Sequence, residues 1–160
     1  EDPLYIARRL LVIASEDIGM ADPTALMVTG EAVRAFERVG SPEGDLNLAH
    51  AVLHLATAPK SNAVTTALSS AKAASRETGD LSPPMHILNA PTKLMKSQGY
   101  GDGYIYDPDT EYGFSGQDYF PEKLGRQTFY APKGDGREKT IKERLAYWSG
   151  LRQQIQSKKR

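Results

Sequence analysis

The chain has 160 residues, 39% of them hydrophobic, with 20 basic and 20 acidic side chains and no formal net charge. That length buries a core without metal or disulfide staples, and the absence of cysteine excludes disulfides, thiolate zinc sites and cysteine nucleophiles. No apolar run approaches the roughly 18 residues of a membrane span and no signal peptide precedes the first periodic segment, so the chain reads as soluble and intracellular.

The first half reads as four helices with clear punctuation. "EDPLYIARRLLVIASEDIG" takes Asp2 as its N-cap and Pro3 as its first helical residue, and stops at Gly19. Leu4, Ala7, Leu11, Ala14 and Ile18 line one face and Ile6, Leu10 and Ile13 a neighbouring one, which predicts a helix buried on most sides. The opening at Glu1, without methionine and already inside a helix-start signal, is expected of a piece of a longer protein. "DPTALMVTGEAVRAFERVG" repeats the Asp-Pro start and the glycine stop, with Ala25, Val28, Ala32, Phe36 and Val39 as its stripe. "SPEGDLNLAHAVLHLATAP" must end before Pro59, because proline disfavours the helical conformation in the residue before it. "SNAVTTALSSAKAASRETG" is capped by Ser61 and closed by Gly79. Its inner face of Val64, Ala67, Leu68, Ala71 and Ala74 is mostly alanine, which suits close helix packing.

Prolines then break the pattern, and a short helix is expected from Pro91 through Lys96. Residues 99–136 hold eight of the fourteen glycines and nine of the thirteen Phe, Tyr and Trp residues, without helical periodicity. A loop of that length is uncommon in a compact domain unless it is functional or packs on itself. We expect an ordered, aromatic-pinned excursion with short strands around "GYIYD" and "RQTFYA". A last helix over about 137–157 carries Ile141, Leu145, Trp148, Leu151 and Ile155 on one face. Residues 137–160 hold eight Lys/Arg against two Asp/Glu, so this tail carries +6 and the remainder −6. Such a helix is a solvated face or an electrostatic footprint for nucleic acid.

The residues offer little chemistry. "GYGDGY" has the glycines of a phosphate loop but neither the strand-then-helix setting nor a following Gly-Lys-Ser/Thr, so its glycines read as helix stop and turns. Lys93 and Lys96 lie near Tyr100 and Tyr104, and basic residues interleaved with aromatics track a single strand by charge and stacking. Asp102, Asp107, Asp109 and Glu111 oppose that reading by repelling phosphate. His50 and His54 have the i, i+4 spacing of a metal pair but lack a third ligand, and read as packing residues. Glu16 and Asp17 are consecutive on a helix and do not face each other. On its own residues the chain holds no catalytic constellation and no metal site.

Four strings carry a family resemblance: "EDPLYIARRLLVIASEDIGMADP", "SPEGDLNLAHAVLHLATAPKSNAV", "MHILNAPTKLMKSQGYGDGYIYDPD" and "GRQTFYAPKGDGREKTIKERL". In this order, and over essentially the whole chain, they resemble the C-terminal region of the replication-associated recombination protein A family, also called MgsA. These are bacterial AAA+ ATPases related to Werner-helicase-interacting proteins and clamp-loader subunits. The resemblance implies an all-α, collar-like array, with residues 1–80 as the helical post-AAA+ oligomerisation region. Residues 81–160 are then the family's own C-terminal region, and the two form one compact unit. It implies a non-catalytic oligomerisation domain, with ATP and magnesium bound by an upstream module that this chain lacks and no cofactor here. The implied parent is a DNA-stimulated ATPase of the bacterial cytoplasm and nucleoid, a homotetramer acting at stalled forks with DNA and single-strand-binding protein as partners. The small-residue face of the fourth helix is the candidate oligomer interface. Lys93, Lys96, Tyr100 and Tyr104 are the candidate DNA contacts, the alternative role being a direct single-strand-binding module.

Overall fold

In the computed structural model, which describes residues 2–158, the expected caps set the helices. The Leu4 amide donates to Asp2 Oδ1 at 2.9 Å, and α1 runs Pro3–Ile13. The helical path continues to Gly19, but as a π-helical turn over Ala14–Ile18 followed by a 3-10 turn over Gly19–Ala21. The widened turn carries Ala14 and Ile18 in the core, where both are fully buried. Asp22 Oδ1 accepts the Thr24 amide at 3.0 Å and opens α2, Thr24–Val39. The buried stripe of α2 is Ala25, Thr29, Ala32 and Phe36. The expected Val39 lies exposed in the last turn, beyond any facing helix. Helix α3, Asp45–Thr57, buries Leu48, Ala51 and Leu55 against α1 and α2. Its end is satisfied by Lys60, whose Nζ donates to the carbonyls of Leu55 at 2.8 Å and Ala58 at 2.6 Å. Ser61 caps α4, Ala63–Thr78, by accepting the Ala63 amide.

The chain divides into two compact units: residues 2–72 with 129–144, and residues 73–128 with 145–158. The first unit is closed by a segment that returns from far along the sequence. Helix α6 spans Glu138–Lys158, and its first residue is a fully buried carboxylate. Tyr130 Oη donates to Glu138 Oε1 and the Lys133 amide to Oε2, both at 2.8 Å. The Ser61 hydroxyl and the Gly134 amide donate to it as well. Beside this clasp the Arg137 amide donates to the Ala21 carbonyl at 2.8 Å. Gly136 has φ +52, and a Cβ there would overlap the Ala21 carbonyl oxygen and come within 2.6 Å of Pro59. Only glycine permits that approach.

The second unit contains α5, Lys93–Ser97, two single 3-10 turns and the excursion expected from composition. The strands expected at "GYIYD" and "RQTFYA" do not form, and no strand occurs among the described residues. Around "GYIYD" the reason is local competition: side chains satisfy the backbone groups that a ladder would have used. Gln117 accepts the Ile105 amide at 2.9 Å and donates to the Gly103 carbonyl at 2.7 Å. Asp107 takes the Ser115 amide and Thr110 the Phe114 amide, each at 2.8 Å. Aromatic packing pins the loop as expected, with the Phe114 and Trp148 ring centroids 4.7 Å apart.

Burial alone would raise the Glu138 pKa, but hydrogen bonds from Tyr130, Lys133, Ser61 and Gly134 outweigh it and hold the carboxyl below its ordinary 4.5. Tyr130 is pushed above its ordinary 10.0, first by burial and then by the Glu138 carboxylate. The Glu138 contribution to stability is therefore complete above pH 4.5 and lost as pH falls through the folded value; that of Tyr130 is complete below pH 10 and lost as pH rises beyond it. In urea unfolding at neutral pH we expect Glu138→Ala to cost about 3 kcal/mol and Tyr130→Phe about half that, since the first strands four donors and the second one acceptor. Unfolding across the pH range should show Glu138→Gln flattening the acid limb and Tyr130→Phe the alkaline limb. Gly136→Ala should cost at least about 2 kcal/mol, more than Gly134→Ala, whose Cβ would meet nothing within 4 Å.

Candidate functional site

The first unit carries an apolar groove of about 740 Å³ between α1, α2 and α4. It exists because α4 is attached mainly by its first turn. The Ser61 amide donates to the Asp17 carbonyl at 2.7 Å, the Thr65 hydroxyl to the Glu16 carbonyl at 3.3 Å, and Ala63 is the one fully buried residue of the helix. Gly19, at φ +51, lets Val64 close in, since a Cβ there would lie 3.0 Å from the valine side chain. Beyond that turn α4 stands off, and the groove opens along Leu4, Leu26, Val33, Val64 and Leu68 with Arg8, Glu16 and Glu37 among its lining. Leu4 is 57%, Leu26 50% and Leu68 55% exposed. The expectation that α1 is covered on most sides is thus corrected: its Leu4 side has no partner helix. Of the candidate interface residues, the structure brings Val64 and Leu68 onto the groove; Ala67, Ala71 and Ala74 are half-buried on α4 and do not line it.

In the second unit, Thr92 caps α5 by accepting the Met95 amide at 3.2 Å, and Gly99, at φ +84, ends it. The following turn forms a cleft of about 820 Å³ lined by Lys96, Tyr100, Tyr104, Asp102 and His86. Lys93 lies exposed outside that lining. Among the described residues neither lysine ammonium makes an ion pair or a hydrogen bond. Part of the acidic character that opposed nucleic acid is spent internally. Asp107 is held below its ordinary pKa by hydrogen bonds from Ser115, and Glu111 lies 3.9 Å from Lys158.

Of the two histidines expected as packing residues, His54 is half-buried and His50 is exposed on α3. His54 Nε2 lies 3.0 Å from Asp22 Oδ2. Asp22 is held below its ordinary pKa first by the Thr24 hydroxyl and further by His54, so the carboxylate joins the start of α2 to the end of α3. No three metal-ligating side chains converge among the described residues, and no helix among them is long and apolar enough to cross a membrane.

Sequence reasoning missed one group of side chains. Arg152 sits over the Phe114 ring, its guanidinium carbon 4.9 Å from the centroid. Nearby Arg126 Nη1 lies 3.6 Å from Asp118 Oδ1. The available signal was Arg152 itself, one helical turn after Trp148 and therefore inside the apolar stripe of the last helix rather than on its solvated side.

Comparison with known proteins follows the same lines. The family model described as MgsA AAA+ ATPase C terminal matches residues 1–149. The replication-associated recombination protein A of Coxiella burnetii is 48% identical over 154 residues, covering 96% of this chain and 35% of that protein. The protein of the same name from Escherichia coli K12 is 49% identical over 147 residues, covering 91% and 33%. An ATPase WRNIP1 of Dictyostelium discoideum is 36% identical over 137 residues, covering 82% and 15%. The chain spans about a third of the length of these bacterial relatives.

Proposed function

This chain belongs to the MgsA AAA+ ATPase C-terminal family, and from that we propose that it is the self-association domain of a replication-associated AAA+ ATPase. In this reading the domain is non-catalytic. ATP and magnesium bind in the upstream module, and the parent is a DNA-stimulated ATPase at stalled forks that assembles as a homotetramer and meets single-strand-binding protein there. The observation that carries the reading is the open groove of the first unit, where three leucines from three helices stay about half exposed on one apolar surface. Covering them with a second copy is worth about 1 kcal/mol per leucine. A non-catalytic role is further supported by where the displaced titrations of the first unit lie: Asp22 ties helix ends together, and Tyr130 and Glu138 clasp the fold.

Light scattering on the eluting chain at tens of micromolar should give a multimer. Leu26→Asp and Leu68→Asp, both at exposed positions, should shift it toward monomer with helical content and melting temperature unchanged. An unsubstituted 160-residue chain that is strictly monomeric at that concentration would sink the reading. Ala71→Leu with Ala74→Leu tests whether the small-residue face of α4 takes part; a folded monomer would assign that face to the interface.

A second reading is favoured by the cleft of the second unit. Lys96, Tyr100 and Tyr104 share it, Lys93 stands nearby in sequence, and both ammonium groups are uncommitted. We infer a contact with single-stranded DNA by charge and stacking. Lys93→Glu with Lys96→Glu should weaken oligothymidylate binding and flatten its salt dependence. Absence of binding by the parent chain at low salt would remove this reading and leave the first intact.

A further inference from the structure

The second unit brings two arginines together beside one carboxylate. Arg152 is drawn inward: its Cγ lies 3.6 Å from where a Cβ on Gly116 would stand, and its guanidinium rests on Phe114, itself braced by Trp148. Its Nε is buried with no hydrogen-bond partner. No solvent-sized group reaches that Nε, so a ligand would have to accept from the Nη groups instead. Arg126 is near enough that its charge, after burial, is the next cause holding Arg152 below the ordinary guanidinium range. One carboxylate faces the two arginines. Asp118 lies 3.6 Å from Arg126 Nη1, and its Oδ1 also accepts the Phe120 amide at 3.3 Å. Two guanidinium groups therefore share one partly committed anion.

We propose that Arg126 and Arg152 form a binding site for a phosphate oxyanion, with Asp118 and Phe114 positioning the two guanidinium groups. Arginine suits this ligand because its planar fork donates in parallel to two oxygens, and a tetrahedral phosphate has oxygens enough for two guanidinium groups where a carboxylate has only two. The site does not stand alone. Tyr119, which follows Asp118, stacks at 6.0 Å on His86, and His86 lines the cleft that holds Lys96, Tyr100 and Tyr104. The phosphodiester of a single strand is one source of such an anion and free phosphate the other. The inference rests on the strand-contact reading only for the first of these sources, and is independent of self-association.

Trp148, the single tryptophan of the chain, touches Phe114 and serves as the reporter. The 160-residue chain is titrated with labelled oligothymidylate and, separately, with inorganic phosphate, following Trp148 emission and strand anisotropy. Both ligands should move the emission. Arg126→Gln should weaken strand binding on the order of tenfold at low salt and reduce the slope of log affinity against log salt by about 0.7, the loss of one phosphate contact on a single strand. Arg152→Gln should abolish the phosphate response. A response to the strand alone assigns the site to a nucleic-acid backbone, and a response to phosphate alone assigns it to the free anion. If neither ligand moves Trp148, or if Arg126→Gln keeps the parent's affinity and salt slope for every ligand that does, the proposal is wrong. Arg152 packs on an aromatic ring, so its variant loses a fold contact as well as a ligand; Arg126, 47% exposed, decides the outcome where that variant does not fold, and unchanged light scattering separates a lost anion site from lost assembly.

Discussion

The buried carboxylate of Glu138 is the contact on which the first unit depends. A charge is excluded from water there and accepts from a phenol, a serine hydroxyl and two backbone amides. Such a group is tolerated only when its acceptor capacity is filled, and then it fixes geometry more strictly than apolar contact does. The donors come from two distant parts of the chain. Ser61 stands at the start of α4, and Tyr130, Lys133 and Gly134 stand in the segment that leads into α6. Burying one side chain thus sets where α4 begins and where α6 begins. The Arg137 amide on the Ala21 carbonyl adds the end of the π and 3-10 turns to the same junction.

That anchoring explains the exposed surface of the first unit. Three helices bury alanines and a few large residues in a thin core, and α4 is held at its first turn. What the junction fixes at one end of α4 it leaves open along the rest, so leucines of α1, α2 and α4 line a groove instead of a core. The leucines left half exposed along it are consistent with a surface shaped for another molecule.

The second unit is organised by a different principle. Its loop carries its own hydrogen-bond acceptors in Asp107, Thr110 and Gln117, and its aromatic rings supply the apolar contact. Basic side chains of the last helix are partly consumed in this arrangement. Lys158 lies 5.6 Å over the Tyr112 ring and 3.9 Å from Glu111, and Arg152 is held on Phe114. The +6 tail is therefore not a uniform solvated face, and its charge is distributed by the aromatic loop against which half of the helix is folded.

The sequence by itself determined the all-α class, the family and several helix caps, while α3 begins at Asp45, after the expected Ser41-Pro42 start, and α5 at Lys93, after the expected Pro91. Asp2, Asp22, Ser61, Gly19 and Gly40 act through bonds to neighbours two to five residues away, and such signals survive without knowledge of the fold. It also determined that residues 99–136 are ordered by aromatic packing, since composition alone supplies the buried area. Tertiary structure decided the rest. Glu138 reads in the sequence as one of two acids in a basic tail, and only the return of the chain to Ser61 makes it the buried clasp. Leu4 and Leu68 read as core by periodicity, which marks an apolar face but cannot say whether a partner within the chain exists to cover it. The strand expected at "GYIYD" failed because the Gln117 side chain, twelve residues on, takes over the backbone's hydrogen bonds there. Arg126 and Arg152 were invisible as a pair for the same reason as the clasp: proximity between residues far apart in sequence is a property of packing, and no local pattern encodes it.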